Sequence, residues 1–393
     1  MRRVPIQYLA PGQILARPLY NERGDILLNS GVELTERFIR LLGGHGVASV
    51  FVRQPGDQED VEPEDIVTER VRVAALANVR KVFEVAAKAT AGLRGRSAQQ
   101  VLDALQQPGN HPSQAEAADY EQLFRSVESI VDEVLNAYAL PGLSTLKSYD
   151  NYTFCHSVDV AVTALLLGKK LHLPRERLKA LGVGCILHDV GKSAVPQHVL
   201  NKPGKLTDDE YALVKKHPTV GYELLRAQLP DQVLPKHIAL QHHERQDGGG
   251  YPRALRGANK VAREIQDRFE TGRMMLLAEI AAVADVYDAL ASDRPYRAGM
   301  PAEQIADIMQ DMRGRHLNAE VLDIFLSVFP RYPVGLDMVA TGGPYAGFRG
   351  IVLASNRRAA DRPMVRLVYD RRGARLSPPL EIDLTREPDT TIT

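Results

Sequence analysis

Short apolar runs bounded by turn residues occupy both ends of the chain, and helical stripes fill the long stretch between them. Near the N-terminus Gln13-Ile14-Leu15-Ala16 and Ile26-Leu27-Leu28 lie among Pro11-Gly12 and Glu22-Arg23-Gly24-Asp25, a pattern that predicts strands and turns. Glu36 to Leu42, with Phe38, Leu41 and Leu42 on one face, predicts a helix, and Ala48 to Val52 a closing strand. Residues 54–63 are acidic and polar and read as a linker. Helical spacing then takes over. Ile66, Val73, Leu76, Val79, Val82 and Phe83 form one stripe, and Leu123, Phe124, Val127, Ile130, Val131, Val134 and Leu135 another, ended by Pro141-Gly142. Helices punctuated by Pro and Gly continue over 144–329. Strand-like runs return at 338–340, 350–353, 364–368 and 382–384, and the tail after Glu387 is expected to fray. The expectation is a mainly α chain in four parts. These are a small β-rich leader over 1–54, a linker and helical connector over 55–143, a helical domain over 144–330 and a β appendage over 331–393.

Composition narrows the class of protein. With 393 residues, 44% hydrophobic and 25% charged, the chain has the make-up of an ordinary globular protein of two or three domains. Basic and acidic residues balance at 49 each, so nothing announces a surface for long nucleic acid. Cys155 and Cys185 are the two cysteines and have no CxxC spacing, which points to reduced thiols rather than a disulfide framework. The start, MRRVPIQYLAPGQILARPLY, offers no uninterrupted apolar stretch for a signal peptide, and the run Val160 to Leu167 is far too short to span a membrane. A cytoplasmic location is expected.

The candidate chemistry lies in the helical domain. His156, His188-Asp189, His217, His242-His243 and Asp285 form an ordered series of imidazoles and carboxylates, a donor mixture suited to iron, manganese or zinc. A lone histidine is usually a surface or hydrogen-bonded core residue, and His45, His111, His172, His198, His237 and His316 are left with that reading. The series differs through its surroundings, HDVGK and HHERQDGGGYP. Adjacent helical residues point roughly 100° apart, so a His-Asp or His-His pair can address two sides of one centre. Asp189 has two oxygens with which to bridge two ions, and Asp288, near Asp285 on the same helix, can orient a ligand histidine. Lys192 offers a point charge to phosphate. Gly248, Gly249 and Gly250 are either a plain inter-helix loop or a close approach for ligand, with Tyr251 as donor or stacking face. Arg294 and Arg297 in RPYR are either a solvated helix end or a pair of phosphate forks.

Taken together, His156, HDVGK, His217 in KKHPTVGYELL, HHERQDGGGYP and ADVYDALASDRPYR resemble the HD-GYP family, a branch of the HD-domain metal phosphohydrolases, over about Ser144 to Phe329. The N-terminal LAPGQILARPLY is similar to a leader domain found ahead of such domains. The resemblance implies an HD-domain helical bundle in a bacterial second-messenger enzyme. It also implies a centre of two or three iron or manganese ions and hydrolysis of cyclic di-GMP to linear pGpG, in some members onward to GMP. His156, His188, Asp189, His217, His242, His243 and Asp285 match the family's metal ligands. Asp189 and Lys192 would serve catalysis, while Lys192, Gly248, Gly250, Tyr251, Arg294 and Arg297 fall at its substrate positions.

Two departures sharpen the expectation. Members with a third metal carry a glutamate four residues before the first histidine, where this chain has Tyr152, so two metals and slow or absent formation of GMP are expected. The segment between Tyr251 and Asp285 is longer than usual. Within it Ala258 to Gly272 is polar with helical spacing at Val261, Ile265 and Phe269, open to reading as a lid, a dimerisation element or a decoration. Two rival readings stand beside the enzyme: a receptor or scaffold that binds cyclic di-GMP without turning it over, and a hydrolase of another cyclic dinucleotide such as cyclic GMP-AMP. The β modules leave room for a diguanylate-cyclase or other signalling partner, or a homodimer.

Overall fold

The computed structural model describes all residues except 1, 21–25, 45–48, 54–65, 94–95, 97, 106–111, 138–151, 203, 263–271, 293–299, 330, 333, 355, 357–358 and 360. The turn 22–25, the linker 54–63, Pro141-Gly142, Arg294, Arg297 and the spacing through Ile265 and Phe269 therefore lie outside the described residues. The chain divides into two compact units, one of residues 1–66, 138–151 and 326–393 and one of residues 67–137 and 152–325.

The first unit contains both β modules. Strands β1 (Arg2–Pro5), β2 (Ile14–Leu15), β3 (Leu19–Tyr20) and β4 (Ile26–Leu28), helix α1 (Glu36–Gly44) and strand β5 (Ser49–Arg53) make the N-terminal one. β1 and β2 flank β5 in an antiparallel sheet, and Leu15, Leu34, Leu42, Val50 and Val52 form its core.

The second unit is helical: α2 (Glu69–Thr90), α3 (Ala98–Leu105), α4 (Gln114–Asn136), α5 (Tyr152–Lys170), α6 (Arg175–Leu187), α7 (Gln197–Leu200), α8 (Asp208–Val214), α9 (His217–Gln228), α10 (Val233–Gln241), α11 (Leu276–Ala291) and α12 (Ala302–Asp311). Helix α13 (Ala319–Val328) continues three residues past the unit's last residue, Phe325. Capping boxes start two of these helices: Ser113 and Glu116 exchange backbone and side-chain hydrogen bonds at α4, as Thr207 and Glu210 do at α8. Helix α5 is apolar nearly all round. Val158, Val160, Ala161, Val162, Ala164, Leu165, Leu166 and Leu167 are all buried, so it runs through the core with α6 and α11 packed against it. It begins at Tyr152, four residues before His156.

Helix α2 packs in the unit that holds the His/Asp series, against α4, α5 and the short 3₁₀ turn Val190–Ala194. Arg72 near its start gives a buried hydrogen bond of 2.5 Å to Asp159 of α5, one turn after His156. At its far end Thr90 Oγ1 lies 3.2 Å from Ser193 Oγ. Gly191, in the same 3₁₀ turn, has no room for a side chain. A Cβ there would overlap the His217 carbonyl oxygen and the Gly221 amide of α9.

The C-terminal module of the first unit is an antiparallel sheet in the order β6 (Asp337–Val339), β7 (Arg349–Ala354), β8 (Met364–Tyr369) and β9 (Arg375–Asp383). Pro378 and Pro379 cannot donate to a ladder and lie on the edge strand, beside the register shift between Leu367 and Tyr369. The tail does not fray. Ile392 is buried with Met338, Ala340, Val365 and Leu384, and Val339 and Thr393 exchange both backbone hydrogen bonds. One apolar side chain closing a small core overrides the polar composition around it. Among the described residues no helix is long and apolar enough to cross a membrane.

Gly191→Ala should destabilise the protein by about 1–3 kcal/mol, because backbone rather than a flexible side chain must give way. Gly92→Ala, where a Cβ meets nothing within 4 Å, should change the chemical-denaturation midpoint little. Equal midpoints for the two variants would show that the α9 contact is not tight.

A candidate metal centre

Three of the seven donors are placed by one local device. His188 follows the last residue of α6, His242 follows the last residue of α10, and His217 opens α9 just beyond the end of α8. Each ring donates its Nδ1–H to the carbonyl three residues back: to Cys185 at 2.6 Å, Val214 at 2.7 Å and Ala239 at 2.8 Å. Carbonyls in the last turn of a helix lack an intrahelical partner and are free to accept. A carbonyl only accepts, so Nδ1 holds the proton and Nε2 of each neutral ring keeps its lone pair. His156 uses a carboxylate instead. Its Nδ1 lies 2.7 Å from Asp288 Oδ2 across α5 and α11, and its Nε2 lies 3.2 Å from Asp285 Oδ1. Ser292 Oγ holds the same Asp288 oxygen at 3.0 Å. The orienting role expected of Asp288 thus falls on His156.

The donors converge. His217, His242 and His243 form one group, His156, His188 and Asp189 a second, and His188, His242 and Asp285 a third, with ligand atoms within 4.8 Å of one another in each. Asp189 faces two ways: Oδ2 lies 3.4 Å from His188 Nε2 and 3.9 Å from His156 Nε2, whereas Oδ1 lies 3.2 Å from His217 Nε2 and 3.8 Å from His242 Nε2. All seven sequence-predicted donors are present in this cluster.

Electrostatics follow from burial and contacts. Burial opposes a charge on His156, but Asp285 and Asp288 outweigh it and raise its pKa to about 10. Burial, helped by His217, pushes His243 down to about 3. Burial, then His243 and His188, hold His242 well below its usual value. His217 is also lowered by burial, against the pull of Asp189. Burial works against the Asp189 carboxylate, yet Lys192 and His188 keep its pKa well below the usual range. Asp285 is held low in the same way, against burial, by His156 and His188.

These contacts decide whether the residues fit a metal. His217 Nε2 and His242 Nε2 are 3.2 Å apart, and both rings have already given their Nδ1 protons to carbonyls. Two lone pairs at that separation repel unless a cation lies between or beside them. Asp189 Oδ1 is buried and accepts no hydrogen bond among the described residues, although His217 Nε2 is close. A buried carboxylate oxygen facing unprotonated imidazole nitrogens has the chemistry of a half-filled coordination shell. The cluster can hold metal.

Lys192 donates to Asp189 Oδ2 at 2.5 Å and keeps a partly exposed side chain. The Tyr251 ring stacks on His243, with centroids 4.8 Å apart and planes 28° apart. A Cβ on Gly250 would overlap the backbone of His243, Glu244 and Arg245, so its bareness is already required by the loop's own packing. Gly248 has φ +79, the left-handed region that suits glycine. Tyr152 is the first residue of α5. The long segment after Tyr251 is closed at its neck, where Arg256 N–H donates to Gly272 O and Met274 N–H to Arg256 O. Asn259 pins it further, donating from its amide to Gln246 Oε1 at 3.0 Å and accepting from the Ala319 amide at 3.0 Å.

Two residues were missed in the sequence. Glu244, fully buried, accepts the amides of Arg253 at 2.7 Å and Leu255 at 2.8 Å and so braces the loop behind Tyr251. A carboxylate directly after paired histidines was a signal for a loop brace, but it is equally a surface charge until the fold buries it. Lys215 has its Nζ 5.1 Å from the Tyr251 ring centroid. Its signal was the doubled lysine ahead of His217.

Residues 135–260 match the family model described as an HD domain. The match bears out the resemblance read from the motifs, and six of the seven donors fall inside it, with Asp285 beyond its end. The chain is similar to the cyclic di-GMP phosphodiesterase PA4108 of Pseudomonas aeruginosa, 37% identical over 252 residues, which are 64% of this chain and 56% of that protein. It is 39% identical over 162 residues to the cyclic di-GMP phosphodiesterase response regulator RpfG of Xanthomonas campestris pv. campestris, covering 41% of this chain and 39% of that one. It is 33% identical over 203 residues to the 3′3′-cGAMP-specific phosphodiesterase 1 of Vibrio cholerae, covering 51% and 43%. The matches thus span about half of these relatives or less. A solved structure, the HDG"Y"P protein Bd1817 of Bdellovibrio bacteriovorus, aligns at TM-score 0.42 and 18% identity over 82% of this chain and 97% of that one.

Asp288→Asn should weaken metal binding by ~10–100-fold, since it removes the charge that orients His156. Titration with Mn²⁺ followed by calorimetry would measure this, and an unchanged affinity would remove Asp288 from the site. Stability of the metal-free protein should peak near neutral pH. His243 titrates at about 3 when folded, against roughly 6.5 when unfolded, so stability falls as the pH drops between those values. His156, raised to about 10, contributes stability that is complete below about 6.5 and lost as the pH rises to its folded value. Thermal melts should show both limbs, and His156→Gln should flatten the alkaline one. A wild-type alkaline limb that is already flat would contradict the pairing.

Proposed function

We propose that this protein is a metal-dependent phosphodiesterase that hydrolyses cyclic di-GMP to linear pGpG and so lowers a second messenger. The observation that carries the reading is the convergence of unprotonated Nε2 atoms and carboxylate oxygens around Asp189. A site of that chemistry serves hydrolysis of a phosphate ester and has no need of a protein nucleophile. Two divalent ions, iron or manganese, would supply when bound the Lewis acidity that makes water a nucleophile at neutral pH. Asp189 is suited to span them, because its two oxygens face different histidines. His156 and His188 with Asp189 would hold one ion, with Asp285 close beside His156, and His217, His242 and His243 the other.

Lys192 stands where its ammonium can serve both Asp189 and a non-bridging phosphate oxygen. Tyr251, fixed against His243, shapes one wall for the substrate. Gly248 and Gly250 hold that loop, and Arg294 and Arg297 are assigned to the second phosphate on the motif alone. Tyr152 supplies no carboxylate for a third ion, which supports pGpG rather than GMP as the end product. The β modules are assigned to sensing or to docking of signalling partners or a second copy.

A second reading is favoured by the relatives' names: one is specific for 3′3′-cGAMP, so the base specificity of this chain is a separate question from its chemistry. Purification without air, metal analysis and chromatography of products from cyclic di-GMP and 3′3′-cGAMP test the proposal together. About two metal ions per chain and release of linear dinucleotide are expected. His188→Ala/Asp189→Ala should lose both. Wild-type activity in that double variant would place the reaction elsewhere, and tight binding without product would make the protein a receptor.

A further inference from the structure

Resting on the phosphodiesterase reading, we propose that Lys215 is a substrate-positioning residue that contacts a phosphate of the dinucleotide. Lys215 caps the C-terminal end of α8, two residues before His217. Its Nζ lies 5.1 Å from the centroid of Tyr251 and 5.5 Å from that of Tyr211. Tyr251 in turn stacks on His243, whose ring centroid is 4.1 Å from that of His242 and 5.0 Å from that of His217. The ammonium therefore sits one aromatic ring away from the histidine cluster.

Its charge is uncommitted. Among the described residues Lys215 makes no ion pair with a carboxylate, whereas the Lys192 ammonium is already bonded to Asp189 Oδ2 at 2.5 Å. Ring faces attract an ammonium through their quadrupole but do not neutralise it. They hold it in place with its hydrogen-bond donors still available. A cyclic dinucleotide carries two phosphodiester charges, and the cation nearest the cluster is partly spent on Asp189. Lys216, the other member of the doubled lysine, lines a small cavity with Arg96, Gly191, Leu213, His217 and Val220, to which neither Tyr251 nor Lys215 contributes. The pair therefore divides, with Lys215 on the Tyr251 side.

The test compares Lys215→Gln, Lys215→Arg and Lys216→Gln with wild type in metal-loaded full-length protein, with metal content confirming that each variant is folded. Lys215→Gln should raise KM for cyclic di-GMP about tenfold, the worth of one charge-assisted hydrogen bond, with kcat changed by no more than about threefold. Lys215→Arg should restore KM to within about threefold, because the guanidinium keeps the charge and the ring contact. Lys216→Gln, which removes the same charge, should leave KM near wild type. An unchanged KM in Lys215→Gln, or an equal rise in both glutamine variants, overturns the proposal. If wild type turns over no cyclic dinucleotide, the phosphodiesterase reading fails on its own. Lys215 is then judged by calorimetric binding of inorganic phosphate: about tenfold weaker binding in Lys215→Gln supports it, and equal binding overturns it.

Discussion

The hydrogen bond from a histidine Nδ1 to a carbonyl left open at a helix end is the contact on which the centre depends. It occurs at His188, His217 and His242, always to the residue three positions back. The bond does two things at once. It satisfies a carbonyl that the helix cannot, and it fixes the tautomer so that Nε2 presents a lone pair. Once three helix ends meet in one place, three lone pairs meet with them. Such a cluster is unfavourable without a cation, and its geometry is therefore a statement about binding as much as about folding.

The rest of the helical unit serves to bring those helix ends together. Gly191 lets the turn after Asp189 lie against the start of α9, so that Asp189 reaches His217. α11 supplies Asp285 to the cluster and Asp288 to the back of His156. α2 runs along the same elements, bonded to Asp159 of α5 at one end and to Ser193 at the other. Asn78, midway along it, donates to Ser126 Oγ of α4 at 2.9 Å. The packing of α2 also explains why a stripe that reads as a connector in the sequence belongs in space with the helical unit that holds the His/Asp series.

Charge in the cluster is arranged in opposite directions over a few ångströms. His156 lies between two carboxylates and is drawn toward the protonated form, while His242 and His243 lie among other imidazoles and are kept neutral. Burial opposes every charge present, so each surviving one is matched by a neighbour: Asp189 by Lys192, and His156 by Asp285 and Asp288. This matching ties the Lys192 ammonium to Asp189, whereas Lys215 lies over the rings of Tyr211 and Tyr251.

The sequence by itself determined which donors exist, their order, the mainly α character and the two β ends, because residue type and apolar spacing are local properties. HDVGK and DGGGYP were enough to carry the resemblance to a metal-dependent phosphohydrolase family. The sequence misread the tail after Glu387, where Ile392 is held by a core assembled from distant strands. The carboxylate after the paired histidines and the doubled lysine were visible in it, but not that Glu244 would be buried beneath the Tyr251 loop or that Lys215 and Lys216 would part company. Only the tertiary structure decided where each lone pair points, which oxygen of Asp189 faces which histidine, and which lysine keeps its charge free. The direction of a lone pair is set by the partner on the other side of the ring, and that partner is chosen by how helix ends pack.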